Sequence, residues 1–128
     1  MDRRTVNPWT WQEQLGYNQG HEVTGAERTL YLSGQGSIDD DGQLVHEGDM
    51  VGQLNKCIDN VETVLSESDM TLANVVRITV YTTDAVYQNA AALGRLNEAG
   101  SRQTMTLLGV SRLAYLEMLV ELEVTAVA

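Results

Sequence analysis

The stretch Glu117-Met118-Leu119-Val120-Glu121-Leu122-Glu123-Val124-Thr125-Ala126-Val127 decides the fold. Met118, Val120, Leu122, Val124 and Ala126 form an unbroken apolar row, while Leu119, Glu121, Glu123, Thr125 and Val127 form a mixed one. Successive side chains of a strand point to opposite faces, so this segment is a strand with one face in a core. The other face is too apolar for water and too polar for a core. A face of that character usually meets another subunit.

Working outward, Asn74 to Thr82 alternates in the same way, with Val76, Ile78 and Val80 on one side and Val75, Arg77, Thr79 and Tyr81 on the other. A further strand is expected from about Gln103 to Val110. Val51, Leu54, Ile58, Val61 and Leu65 recur at spacings of three and four, which predicts a helix from Asp49 to about Ser68 with Asp49 as its cap. Cys57 joins its apolar face and reads as a packed thiol. A second helix is expected after a cap at Asp84, with Val86, Ala90, Leu93 and Leu96 inward and Gly100 as its stop. His21 to Thr24 and Arg28 to Ser33 read as two strands joined by a turn at Gly25-Ala26-Glu27. The first 18 residues read as irregular, with Trp9 and Trp11 packing onto the domain or a partner. The order is then β-β-α-β-α-β-β, an α+β layer with helices on one face of a sheet and residues 1–128 as one domain.

The chain has 128 residues, 43% of them hydrophobic, and no Phe, so Leu, Val, Ile and Met must fill the core. Its net charge of -10 repels phosphate backbones and argues against nucleic-acid binding. Cys57 is the single cysteine. It allows no internal disulfide and fits a cytoplasmic setting. No apolar run follows Arg3 and Arg4 as in a signal peptide, and none approaches a membrane span. Asp39-Asp40-Asp41-Gly42 is a turn signal without the alternating carboxylates and distal glutamate of a calcium loop. His21, His46 and Cys57 lack metal-ligand spacing, so no metal is expected. No phosphate-binding loop, nucleophile elbow or zinc-protease motif is present.

Three groups of residues resemble one family in order and spacing across nearly the whole chain. The first is Gly16-Tyr17-Asn18-Gln19-Gly20 with Leu32-Ser33-Gly34-Gln35. The second is Gln53 with Asn60-Val61-Glu62-Thr63-Val64-Leu65, leading into Val75 to Asp84. The third is Val110-Ser111-Arg112-Leu113-Ala114 with Val120-Glu121-Leu122-Glu123. The chain is similar to the RidA (YjgF) family. The resemblance implies a chorismate-mutase-like fold and a homotrimer, with sheets lining a central barrel, helices outside and clefts between subunits. It also implies hydrolysis of small enamines and imines to carbonyl compounds and ammonia, with no cofactor.

Residue by residue, the resemblance makes Glu121 the catalytic carboxylate that positions or activates water. Tyr17 closes the cleft, Ser33 lies in the S-G-Q turn, and the strand from Met105 through Thr106 to Leu107 offers backbone groups to substrate. One departure is plain. Counting back three residues from Leu108-Gly109-Val110-Ser111-Arg112-Leu113 places Met105 where the family has an arginine. Methionine cannot clamp a carboxylate, and losing such a contact costs about 1.5–3 kcal/mol. Arg102 and Arg77 are the candidate substitute cations. The family's asparagine on the second helix is also missing, with Leu93 and Gly94 in that region.

Each residue also has a plainer role. Tyr17 and Met105 fit packing, Ser33 fits a turn hydroxyl, and Glu121 fits an intersubunit salt bridge to Arg77 or Arg112. Two functions follow: an enamine or imine deaminase with a non-standard substrate, or a non-catalytic trimer that binds a small apolar metabolite. RNA hydrolysis fits poorly with the acidic balance and the lack of a histidine pair.

Overall fold

The computed structural model describes residues 1–83, 90–101 and 103–128, and only the backbone of residues 90–93. The strands are β1 (Asp2–Val6), β2 (Gly20–Thr24), β3 (Thr29–Tyr31), β4 (Val75–Thr82), β5 (Thr104–Gly109) and β6 (Val120–Val127); the helices are α1 (Met50–Ser66) and α2 (Ala90–Glu98). The main sheet has the order β3-β6-β4-β5. β6 runs antiparallel to both β3 and β4, and β5 runs parallel to β4. A parallel neighbour needs a crossover, and α2 lies in that connection.

The apolar row of β6 is buried as its alternation requires: Val120, Leu122, Val124 and Ala126 are all 1% exposed or less. Leu54, Cys57, Ile58, Val61 and Leu65 of α1 and Leu96 of α2 join them in one core. Burying side chains of this size stabilises the fold by about 1.5–3 kcal/mol each. Helix α1 starts where the sequence indicates. Asp49 Oδ1 accepts the Gly52 N–H at 2.9 Å. It ends at Ser66, two residues early, because Asp69 takes a left-handed conformation (φ 54) and the Asp69 and Met70 amides return to Ser66 and Leu65. Gly100 (φ 78) stops α2 in the same way, with the Gly100 and Ser101 amides on Asn97 and Leu96. The Asp84 cap and Val86 lie outside the described residues, as do the side chains of Ala90 and Leu93.

Two expectations need correction. The N-terminus is not irregular: Asp2–Val6 pairs with Gly20–Thr24 in a separate two-stranded sheet. Arg3 ties this ribbon to the domain by donating to Ala73 O at 2.6 Å and Val75 O at 3.3 Å. The two strands expected on either side of Gly25 are present, but they do not pair with each other. β2 takes β1 as its partner, while β3 turns away at Gly25 and pairs with β6. In β4 it is Val75, not Val76, that reaches the core, because the register against β6 shifts between Val75 and Arg77. One extra residue inverts the alternation, and period-2 reasoning cannot see a bulge.

Candidate active site at the outer sheet face

The face of the sheet away from the helices carries Arg77, Thr79 and Tyr81 from β4, opposite Thr125, Glu123 and Glu121 of β6. It is tied together by its own polar groups. Arg77 Nη2 donates to Thr106 Oγ1 at 3.2 Å, and the Tyr81 hydroxyl donates to Glu123 Oε1 at 3.3 Å. Lost water contact first, and then the Glu123 charge, hold the Tyr81 hydroxyl above its ordinary pKa.

Glu121 is half-buried on this face. The Leu32 amide bonds Val124 O at 2.9 Å, and Gln35 and Leu122 exchange amide bonds of 2.7 and 3.0 Å. Ser33 and Gly34 therefore stand together against Glu123 alone, which is a bulge beside β6. Gln35 Nε2 closes it on Ser33 O at 3.0 Å. The bulge brings the Gly34 backbone directly against the Glu121 carboxylate, in space that a Cβ at Gly34 would fill. Ser33 is thus held in the bulge next to the residue that meets Glu121. Gly34 is the position beside Glu121 that sequence reasoning missed. Its signal was a glycine just past the expected strand Arg28 to Ser33, where the backbone can approach a neighbour closely.

Behind Glu121, on the helix side, Cys57 Sγ donates to Val120 O at 3.6 Å. Burial, helped by the Glu121 charge, pushes the thiol from 9.0 up to about 12. A thiol held protonated is no nucleophile.

The other expected residues lie elsewhere. Tyr17 sits where the Asn18 amide bonds Gln103 O at 3.1 Å, next to the start of β5. Thr104 is level with Arg77, whereas Glu121 is level with Tyr81. Those rows are about 13 Å apart along the strands, and β4 and β5 intervene. Tyr17 and Glu121 of one protomer therefore do not meet, and Arg77, on the strand beside β6, is offset from Glu121 by the same distance along the strands. On β5, Thr106 is level with Thr79 and faces outward, while Met105 is level with Ile78 and packs against the core. Leu107 is level with Val80 yet 45% exposed at the sheet's edge. Arg102 lies outside the described residues. Among the described residues, the ion pairs are Arg4 with Glu22 and Arg95 with Asp59 and Glu62, so Glu121 has no cationic partner among them. Among those residues, too, no cluster of three His, Cys, Asp or Glu could hold a metal, and no helix is long and apolar enough to cross a membrane.

Known proteins bear on this arrangement. A family model described as Endoribonuclease L-PSP matches residues 12–128. Protein DfrA of Myxococcus xanthus is 34% identical over 85 residues, 66% of this chain and 64% of DfrA; the match spans a little under two thirds of that relative's length. The crystal structure of YyfB from Yersinia pestis, a Rid-family protein of unknown function, is 31% identical, covers all of both chains and superposes with a TM-score of 0.89. RidA from the Antarctic bacterium Psychrobacter shares the fold, at 24% identity over 88% of each chain and a TM-score of 0.65. The chain belongs to the Endoribonuclease L-PSP family, the Rid/YjgF proteins.

Proposed function

We propose that this protein hydrolyses small imines or enamines at sites assembled between the protomers of a homotrimer, each chain contributing residues 1–128 as one domain. The observation that carries this reading is the Glu121 carboxylate, half-buried on the outer sheet face and seated against the Gly34 backbone. Tyr17 and Glu121 lie at opposite ends of that face, so one site takes Tyr17 and the β5 edge from one protomer and Glu121 with Ser33 from the next. The β5 edge beyond the Asn18–Thr104 bridge and the exposed Leu107 and Leu108 suit such a partner.

In the reaction, water attacks the imine carbon and forms a C–O bond as the C=N bond becomes single. Glu121 takes a proton from the water and returns it to the nitrogen. The carbinolamine then collapses to a carbonyl compound and releases ammonia. A single carboxylate can serve both steps, and no cofactor is required. With Met105 in place of an arginine, the preferred substrate lacks a carboxylate. The lone thiol and the acidic surface suit a cytoplasmic protein with no nucleic-acid partner.

The test couples an amino-acid or amine oxidase, as the imine source, to competition by semicarbazide. The protein is expected to lower semicarbazone yield, and Glu121→Gln is expected to abolish the effect. Equal yields with and without protein across a panel of imines would remove the catalytic reading. A second reading, a non-catalytic trimer that binds a small apolar metabolite in the same cleft, draws support from Met105, which packs against the core and offers no charge.

A further inference from the structure

Tyr81 is the direct cross-strand partner of Glu121, which sets their Cβ atoms roughly 5 Å apart on the outer face. Glu123 follows on the same face of β6. The Tyr81 hydroxyl donates to Glu123 Oε1 at 3.3 Å. A phenol has one proton, and this one is turned to Glu123. Toward a molecule held at Glu121, the Tyr81 oxygen can therefore only accept. The hydroxyl also keeps its proton. Lost water contact first, then the charge and hydrogen bond of Glu123, and then the charge of Glu121 hold its pKa up.

Little positive charge offsets these acceptors. Arg77 is the only Lys or Arg on β4, β5 and β6. It donates to Thr106 Oγ1 at 3.2 Å and lies four residues from Tyr81 along β4, about 13 Å away. Met105 packs against the core and brings no charge to the face. The wall beside Glu121 thus consists of two carboxylates and a phenol oxygen that accepts.

We propose that this wall selects imines in their protonated, cationic form, those that derive from amines, with Tyr81 as a specificity-determining residue and Glu123 as the residue that positions its hydroxyl. The proposal rests on the imine-hydrolase reading and adds the charge of the substrate to it. An iminium, R–CH=NH2+, donates an N–H to the Tyr81 oxygen, and its charge faces Glu121 and Glu123. Protonation also makes the carbon a better electrophile. Water adds there, Glu121 moves one water proton to the nitrogen, and the products are an aldehyde and ammonium. A 2-imino acid brings a carboxylate of its own, which the two glutamates repel.

The test compares two imines, made by an amine oxidase from 3-methylbutylamine and by an amino-acid oxidase from leucine. The two precursors differ by the carboxylate alone. The semicarbazide assay gives kcat/KM for each, divided by the uncatalysed rate constant. The wild type is expected to favour the amine-derived imine at least tenfold, and added salt is expected to shrink that preference. Tyr81→Phe is expected to lower the preference about tenfold, as for a lost hydrogen bond to a charged donor. Glu123→Gln is expected to lower it about threefold, through KM for the amine-derived imine. A merely structural role would reduce both imines alike and leave the ratio unchanged. An equal or greater rate with the leucine imine, or a wild-type ratio in Tyr81→Phe, overturns the proposal and leaves imine hydrolysis in place. Hydrolysis of neither imine removes the catalytic reading and this proposal with it. If Tyr81→Phe fails to fold, Glu123→Gln and the salt dependence of the wild-type ratio decide.

Discussion

The Glu121 carboxylate lies against the backbone of Gly34, in the space a Cβ there would occupy. Glu121 lies on β6 and Gly34 in the segment that follows β3, and a bulge at Ser33-Gly34 brings them together. Gly34→Ala therefore moves the end of a flexible side chain rather than the backbone. The expected outcome is a change in Tm of no more than about 3 °C, with imine hydrolysis reduced on the order of a hundredfold, as for a displaced reacting group. A thermal melt beside the semicarbazide assay checks both. Full activity in Gly34→Ala would show that the carboxylate's position does not matter.

Cys57 makes a prediction about pH. The fold raises the thiol from 9.0 to about 12, so between those values the unfolded chain loses a proton that the folded chain keeps. The stabilisation is fully present below pH 9.0 and is lost as pH rises toward about 12. Denaturant melts of the wild type should weaken with alkalinity across this window more steeply than those of Cys57→Ala. Iodoacetamide at neutral pH is expected to label the thiol only after unfolding. Glu121→Gln removes one cause of the shift and should lower the thiol's apparent pKa.

Gln53 holds α1 to the start of β6. Fully buried, it donates Nε2 to His46 O at 3.2 Å and Glu117 O at 3.1 Å, and accepts the Leu119 amide on Oε1 at 2.8 Å. Gln53→Leu preserves volume but strands these backbone groups. Such a loss costs about 2–4 kcal/mol, a fall in Tm on the order of 10 °C. An unchanged melt would mean that water replaces the side chain there.

The sequence makes the core legible because periodicity reports burial. The apolar row of β6, the stripe of α1, its start at Asp49 and the stop of α2 at Gly100 were all readable in this way. Pairing is another matter. β1 was invisible because Asp2 to Val6 is short, charged and exposed, and its partner lies fourteen residues or more away. The shift at Val75–Arg77 leaves no mark in the alternation. The candidate site was legible in part: the mixed row holding Glu121 implies a half-buried carboxylate, whereas the approach of Gly34 depends on a bulge that the sequence does not mark. Met105 was readable as a missing charge but not in direction, since that depends on β5 running parallel to β4 with Met105 level with Ile78.

Trans-complementation tests the central claim most directly. Glu121→Gln and Tyr17→Ala are each expected to lack imine hydrolysis alone. If every site takes Tyr17 from one protomer and Glu121 from the next, an equal mixture, unfolded and refolded together, assembles about one site in four with both native residues. Recovery of roughly a quarter of wild-type activity in the mixed trimers is the expected result. A mixture as inactive as its parents, from a wild type that is active, would contradict a site shared between protomers.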